Sequence, residues 1–250
     1  PGGNEYGGFS GSRGANLGNN NNPYARLSRN QDNRSKRFRA FGSVFAEAII
    51  ADKITAKSTF GFDVIGRRGL YIGRPQPEYI EGNFINSSTS LFQNSYQWNF
   101  TNTLTYSETL NDIHNVEALV GVEAVEAFGE EFGAGRQRFP FQTTPIISYL
   151  DAGNQGTSSN YGGAQTNYAL WSQFAKLNYG YGSKYLAQVI VRNDASSRFR
   201  SATNSAVFPA FSLGWRISDE DFMSGLNFID DLKLRYGWGQ TGNQEIGDYN

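Results

Sequence analysis

The sequence predicts an all-β chain: about eight strands in an antiparallel up-and-down sheet, read as a transmembrane β-barrel segment that stays an open sheet at this length. Three observations predict it. Apolar and polar residues alternate with a period of two over long stretches, as they must where a strand has different solvents on its two sides. The connections alternate between short and long, the asymmetry of an outer-membrane barrel. Aromatic residues stand at or near the ends of the apolar faces, where amphipathic rings favour the membrane interface.

Each element follows in order. Residues 1–35 are rich in Gly, Asn, Ser and Arg, contain Asn19-Asn20-Asn21-Asn22-Pro23, and show no period, which predicts a loop segment; the barrel portion is expected over 36–250. From Phe38 the even positions are Phe38, Ala40, Gly42, Val44, Ala46, Ala48 and Ile50, against Arg37, Arg39, Ser43 and Glu47. Ala51-Asp52-Lys53 reads as a tight turn. A second strand sets Ala56, Phe60, Phe62 and Val64 against Thr55, Lys57, Thr59 and Asp63, and a loop is expected over about 66–94. The third strand is the clearest. Tyr96, Trp98, Phe100, Leu104 and Tyr106 share one face, and Gln97, Asn99, Thr101, Thr103, Thr105 and Ser107 the other.

A turn over Leu110–Ile113 leads to a fourth strand with Val116, Ala118, Val120, Val122 and Ala124 on one side. After a second expected loop, about 128–167, the fifth strand carries Trp171, Ala175, Leu177 and Tyr179. Gly182-Ser183 closes a hairpin into the sixth, Tyr185 to Asp194. A loop over 195–206 precedes the seventh, with Val207, Phe211, Leu213, Trp215 and Ile217. The connection 219–231 has room for a helical turn after Ser218 or Asp219. The eighth strand sets Leu232, Leu234, Tyr236 and Trp238 against Lys233, Arg235, Gly237 and Gly239. On this reading the tight turns are periplasmic and the long loops extracellular.

Soluble sandwiches also alternate, so length decides. The strands read as about 10–14 residues, against about 5–6 in soluble folds and about 9–11 for a tilted membrane crossing. Composition agrees. Lys plus Arg is 22 and Asp plus Glu 23, which gives no bulk attraction to nucleic acid. The polar face is rich in Thr, Ser, Asn, Gln and Gly, which suits a wet or plugged lumen. There is no cysteine, so disulfides and thiolate metal sites are excluded. No apolar run is long enough for a transmembrane helix. The chain begins at Pro1 and stops at Asn250 inside what reads as a loop, which is expected of a fragment.

The C-terminal third carries recognisable motifs. Leu232-Lys233-Leu234-Arg235-Tyr236-Gly237-Trp238-Gly239-Gln240-Thr241-Gly242-Asn243, then Ile246-Gly247-Asp248-Tyr249, resembles the GQTGN segment of SusC/RagA-type TonB-dependent receptors. Arg192-Asn193-Asp194-Ala195-Ser196-Ser197-Arg198-Phe199 is similar to that family's R-x-D-G-S-S-R-F stretch, with Ala195 where Gly is usual. Phe208-Pro209 and Ser212-Leu213-Gly214-Trp215-Arg216-Ile217-Ser218 continue the block. Ser35-Lys36-Arg37-Phe38-Arg39 and Val44-Phe45-Ala46-Glu47 resemble a barrel hairpin of the family. The resemblance implies a multi-pass barrel of about twenty-two strands in the bacterial outer membrane. It further implies TonB-dependent uptake of glycan oligomers or peptides, with a SusD-like surface lipoprotein, the TonB complex and outer-membrane lipid as partners. The family's signal, plug and TonB-contacting segments lie outside this sequence.

No catalytic, cofactor-binding or metal site is expected, and the chain is not read as an enzyme. Glu123 and Glu126 fall on opposite faces of a strand, and Glu130-Glu131 at a loop edge, so neither is a positioned acid–base pair. His114 has no second histidine at ligand spacing. Asp194, Ser196 and Ser197 lack a G-x-S-x-G elbow and read as turn-makers. Gly2-Gly3 to Gly7-Gly8 lacks the strand and helix of a phosphate cradle. Arg26, Arg29, Arg34, Lys36, Arg37 and Arg39 read as a barrel rim rather than a nucleic-acid site. Substrate-contacting residues stay unassigned. Tyr71, Tyr79, Phe139, Phe141, Tyr149 and Tyr161 are loop aromatics able either to stack on sugars or to pack their own loops. The competing reading is a soluble or cell-surface β-rich carbohydrate-binding or adhesion module, which would close its own core within 250 residues.

Overall fold

The computed structural model describes residues 9, 11–12, 22–79, 81–140, 149–199, 204–225 and 228–244. Among them, eight strands form one antiparallel sheet in sequence order: β1 (Arg34–Ile50), β2 (Ile54–Gly73), β3 (Ser87–Leu110), β4 (His114–Gln137), β5 (Asn154–Tyr181), β6 (Tyr185–Ser196), β7 (Ser205–Arg216) and β8 (Lys233–Gly239). β1 and β8 are its two edges, so the sheet is open.

Register fixes the faces. Val189 pairs with Leu177 on one side and Phe211 on the other, and Phe211 pairs with Trp238. Tyr185 joins Tyr181 to Trp215, and Trp171 pairs with Ala195. Tyr181 and Tyr179 stack near His114 at the start of β4. Farther along β4, Glu126 accepts a hydrogen bond from Trp98 Nε1 at 3.1 Å. Trp98 in turn stacks on Phe60. All four tryptophans of the chain therefore share one face with the apolar rows expected from the alternation. That face is not covered: Leu234, Tyr236, Trp238, Leu213, Val207 and Val120 are all exposed. Among the described residues the buried apolar side chains are few, and they form no core between two packed layers. A self-contained module needs such a core, so the competing architecture does not describe this sheet.

Three hairpins are closed by the same device. The turn pairs Ala51-Asp52, Asn111-Asp112 and Gly182-Ser183 all have φ between 50° and 59°. Each connection is three residues long, Ala51–Lys53, Asn111–Ile113 and Gly182–Lys184, and its first two residues are left-handed. Ile113 N donates to Leu110 O and Lys184 N to Tyr181 O, which closes two of them. The β7–β8 connection holds two single 3-10 turns, Ile217–Asp219 and Asp221–Met223, where one helical turn was expected.

Two expectations need correction. Strands continue through much of the segments read as loops: β2 runs to Gly73, β3 starts at Ser87, β4 runs to Gln137 and β5 starts at Asn154. Glu130 and Glu131 accordingly lie within β4, not at a loop edge. Alternation reports a strand only where its two faces meet different solvents; backbone pairing needs no such contrast. The N-terminal segment, expected as a loop, contains a helix, α1 (Pro23–Asn30). The Asn22 side chain caps it, accepting from Tyr24 N at 3.0 Å and Ala25 N at 3.2 Å, and Pro23 occupies the first turn.

The residues group into two compact units. One comprises Pro1–Ala40, Val64–Ser95 and Gly129–Gln165; the other comprises Phe41–Asp63, Tyr96–Phe128 and Thr166–Asn250. The first holds α1 and a small buried cluster of Ile72 and Phe139 with Leu70, Leu150 and Ala152 against it. The second holds the three tight turns and strands β6 to β8.

Candidate functional site

The polar face of the second unit is laced by cross-strand bonds. Lys57 pairs with Glu47 at 3.3 Å. Lys176 pairs with Glu117 at 2.8 Å, and Asn178 bridges Glu117 to Gln188 at 2.9 and 2.7 Å. Arg192 is the centre. Its Nε donates to Asp194 at 2.6 Å, and its Nη2 donates to Glu123 at 2.7 Å and to Ser172 at 2.8 Å. Its guanidinium lies over the Phe174 ring, 5.4 Å from the centroid. Glu123 also accepts from Thr101 at 3.1 Å. Only a side chain as long as arginine spans from β6 across β5 to β4, and its rigid fork serves several acceptors together.

The motif blocks meet beside Arg192. A cavity of about 510 Å³ is lined by Ser172, Arg192, Asp194, Ser196 and Phe199, by Asn204 and Phe208, and by Gly242, Asn243 and Gln244. Gln240 N donates to Pro209 O at 3.0 Å, which ties the two segments. A Cβ on Gly242 would fall on the Phe208 ring, so the absent side chain lets the two motifs close. Ser196 and Ser197 are turn-makers: Ser196 Oγ accepts from Arg198 N at 3.3 Å and Ser197 Oγ from Ala169 N at 2.9 Å. Arg198 stacks on Tyr168 at 3.9 Å.

At the tight-turn ends, carboxylates tie aromatic rings to lysines. Glu220 Oε1 accepts from Tyr185 Oη at 2.7 Å and Trp215 Nε1 at 3.0 Å, while Oε2 faces Lys184 at 3.4 Å. The Tyr185 hydroxyl first, then the Trp215 indole and Lys184, hold the Glu220 carboxyl below its ordinary value. Glu108 joins Lys53 to Tyr106 in the same way. This raises the Lys53 ammonium above its ordinary value, chiefly through the bond to Glu108.

The remaining singled-out residues are placed as follows. Glu123 and Glu126 occupy opposite faces of β4, bonded to Arg192 and Trp98 respectively. Glu131 accepts from Gln93. His114 Nδ1 shares a hydrogen bond with Tyr179 Oη at 2.8 Å. Of the rim arginines, Arg29 forms a two-pronged pair with the buried Glu78. Tyr79 is buried, its hydroxyl accepting from Asn22 N, and Phe139 packs in a small core with Ile72 and Leu70 of β2. Tyr71 receives Arg67 Nη2 at 3.1 Å. Tyr149 and Tyr161 remain exposed. Phe141 and the glycines from Gly2 to Gly8 lie outside the described residues. The reading of the sequence missed Asn86, which is buried and bonds both backbone groups of Phe139, at 2.7 and 3.0 Å. It also gave no sign of the cavity, which depends on segments about fifty residues apart.

No protein-family model matches the chain. Among curated proteins, the TonB-dependent receptor P39 of Formosa agariphila is 32% identical over 232 residues, 92% of this chain and 22% of that protein. The TonB-dependent receptor SusC of Bacteroides thetaiotaomicron is 47% identical over 88 residues, 34% of this chain and 9% of SusC. Among solved structures, a chain of the RagAB peptide importer in the 'open-open' state superposes with a TM-score of 0.80 and 28% identity, covering 90% of this chain and 24% of that one. The RagAB peptide transporter gives a TM-score of 0.76 over 88% of this chain. The chain thus spans about a quarter of the length of the proteins it matches. Its motifs, open antiparallel sheet and apolar outer rows coincide with these likenesses, and the chain belongs to the SusC/RagA-type TonB-dependent receptors of the bacterial outer membrane, as a stretch of their β-barrel.

Proposed function

We propose that this chain forms part of the wall of an importer that takes up glycan oligomers or peptides, with a SusD-like surface lipoprotein as partner and energy delivered through TonB. The role is transport, not catalysis. Residues 36–250 serve as barrel wall, and residues 1–35 belong to an extracellular loop segment. The tight-turn ends lie on the periplasmic side, and the long strand ends and their loops face the outside.

One observation carries the reading. A single sheet presents an exposed apolar face bearing every tryptophan and an opposite face of cross-strand polar bonds. Such a sheet separates lipid from an aqueous lumen. The likeness to RagAB, described as a peptide importer, supports uptake as the task. The test is growth and uptake in cells lacking the full-length receptor. Deletion is expected to abolish uptake of one class of labelled oligosaccharide or peptide, and the same loss is expected when TonB is inactivated. Unchanged uptake of every oligosaccharide and peptide tested would exclude the proposal.

A further inference from the structure

We infer that the ring-walled groove around Ala187, on the apolar, lipid-facing side of the sheet, binds the ammonium headgroup of a phospholipid of the phosphatidylethanolamine class. This goes beyond the uptake reading and does not depend on it.

Register builds the groove. Ala187 pairs with Tyr179 on one side and Leu213 on the other, and Leu213 pairs with Tyr236. In the next row of the same face, Tyr185 pairs with Trp215. One small side chain among four rings leaves a groove of about 430 Å³ walled by Tyr179, Tyr185, Trp215 and Tyr236. Three of the rings are held by their polar ends. Tyr185 Oη and Trp215 Nε1 donate to Glu220 Oε1 at 2.7 and 3.0 Å, and Tyr179 Oη shares a hydrogen bond with His114 Nδ1 at 2.8 Å. Tyr185 is the first residue of β6 and Trp215 the last but one of β7. Strand ends are where rings meet the headgroup layer.

Charge selects the ligand. At the turn end of the groove the carboxylates of Glu220 and Asp221 share one cation, Lys184, at 3.4 and 4.0 Å. Asp221 is fully exposed. Lys233 and Arg235 lie close in sequence but alternate onto the opposite face, paired with Arg216 and Gly214. The groove thus joins aromatic surface to an excess of negative charge. Ring faces and carboxylates both attract an ammonium group. An anionic glycerol headgroup meets the same carboxylates as repulsion. The lipid phosphate is common to both headgroups and does not discriminate between them.

The experiment uses the full-length receptor in detergent and native mass spectrometry. The probes are phosphatidylethanolamine and phosphatidylglycerol with identical acyl chains, added in equal amounts. The receptor is expected to retain the first over the second by about fivefold. Ala187→Leu fills the groove and is expected to remove the preference. Val191→Leu, farther along the same strand and face, is expected to keep it. Asp221→Lys is expected to turn the preference toward phosphatidylglycerol, and it decides the matter if Ala187→Leu does not assemble. Equal retention of the two lipids by the unaltered receptor would mean an unselective lipid coat and overturns the site. So does an unchanged preference in assembled Ala187→Leu or Asp221→Lys.

Discussion

Glu220 is one carboxylate with three donors: the Tyr185 hydroxyl, the Trp215 indole and the Lys184 ammonium. Its folded pKa is depressed, so its stabilising contribution is present above the ordinary carboxylate value of 4.5 and is lost as pH falls through the lower folded value. Glu220→Gln is expected to remove that acid limb, seen as a flatter melting temperature between pH 5 and about 3 in the full-length receptor. Arg29 and Glu78 form a different kind of pair, because Glu78 is only 1% exposed. Arg29→Ala strands a buried charge and is expected to cost about 3–5 kcal/mol locally. The readout is proteolysis of the α1 segment, faster in the variant and rescued when Glu78→Gln is added. Some of this scale was legible in the sequence. Ser196 and Ser197 read as turn-makers from their residue types alone, and the opposed faces of Glu123 and Glu126 followed from parity; Asp194, read the same way, instead lies within β6 and accepts from Arg192. The partners of Glu78 and Asn86 did not, since they come from residues some fifty positions away and no local pattern encodes them.

At the scale of elements, the three tight turns were read at their correct places from short polar breaks between alternating runs. Their left-handed geometry was foreshadowed only by Gly182 and Asn111. Ala51 adopts φ 53° without glycine's freedom. Replacing Ala51-Asp52 by Asn-Gly is expected to stabilise this hairpin by about 1 kcal/mol, measured as slower unfolding of the receptor in urea. Gly242→Ala is expected to act in the opposite sense, because its methyl group meets the Phe208 ring; a lower melting temperature would show it. The strand ends were the least legible part. Beyond Val64 and before Tyr96 the two faces lose their contrast, yet β2 and β3 continue to Gly73 and from Ser87. Asn22 and Pro23 are the residue types of a helix start, and the reading of 1–35 as a loop passed over them.

For the molecule as a whole, the exposed apolar face decides the solvent. Trp98, Trp171, Trp215 and Trp238 share it, so a receptor retaining only these four tryptophans should lose most of its fluorescence in vesicles of brominated lipid. Fluorescence equal to that in unbrominated vesicles would place the rings in a protein core instead. The fold class was legible because period two with unequal faces leaves few alternatives once the strands exceed what a sandwich needs. Both edge strands, β1 and β8, present open hydrogen-bonding rows. The isolated 250-residue chain is therefore expected to aggregate in buffer and to remain dispersed only in detergent.

The paired left-handed turns also govern where such a protein tolerates added sequence. A three-residue turn has little slack, and one extra residue there would shift a strand by one position and exchange its lipid and lumen rows. An epitope inserted between Ala51 and Asp52 or between Asn111 and Asp112 should therefore abolish assembly. The same epitope placed in the connection between β4 and β5, outside any hairpin register, should be displayed on intact cells and reached by antibody.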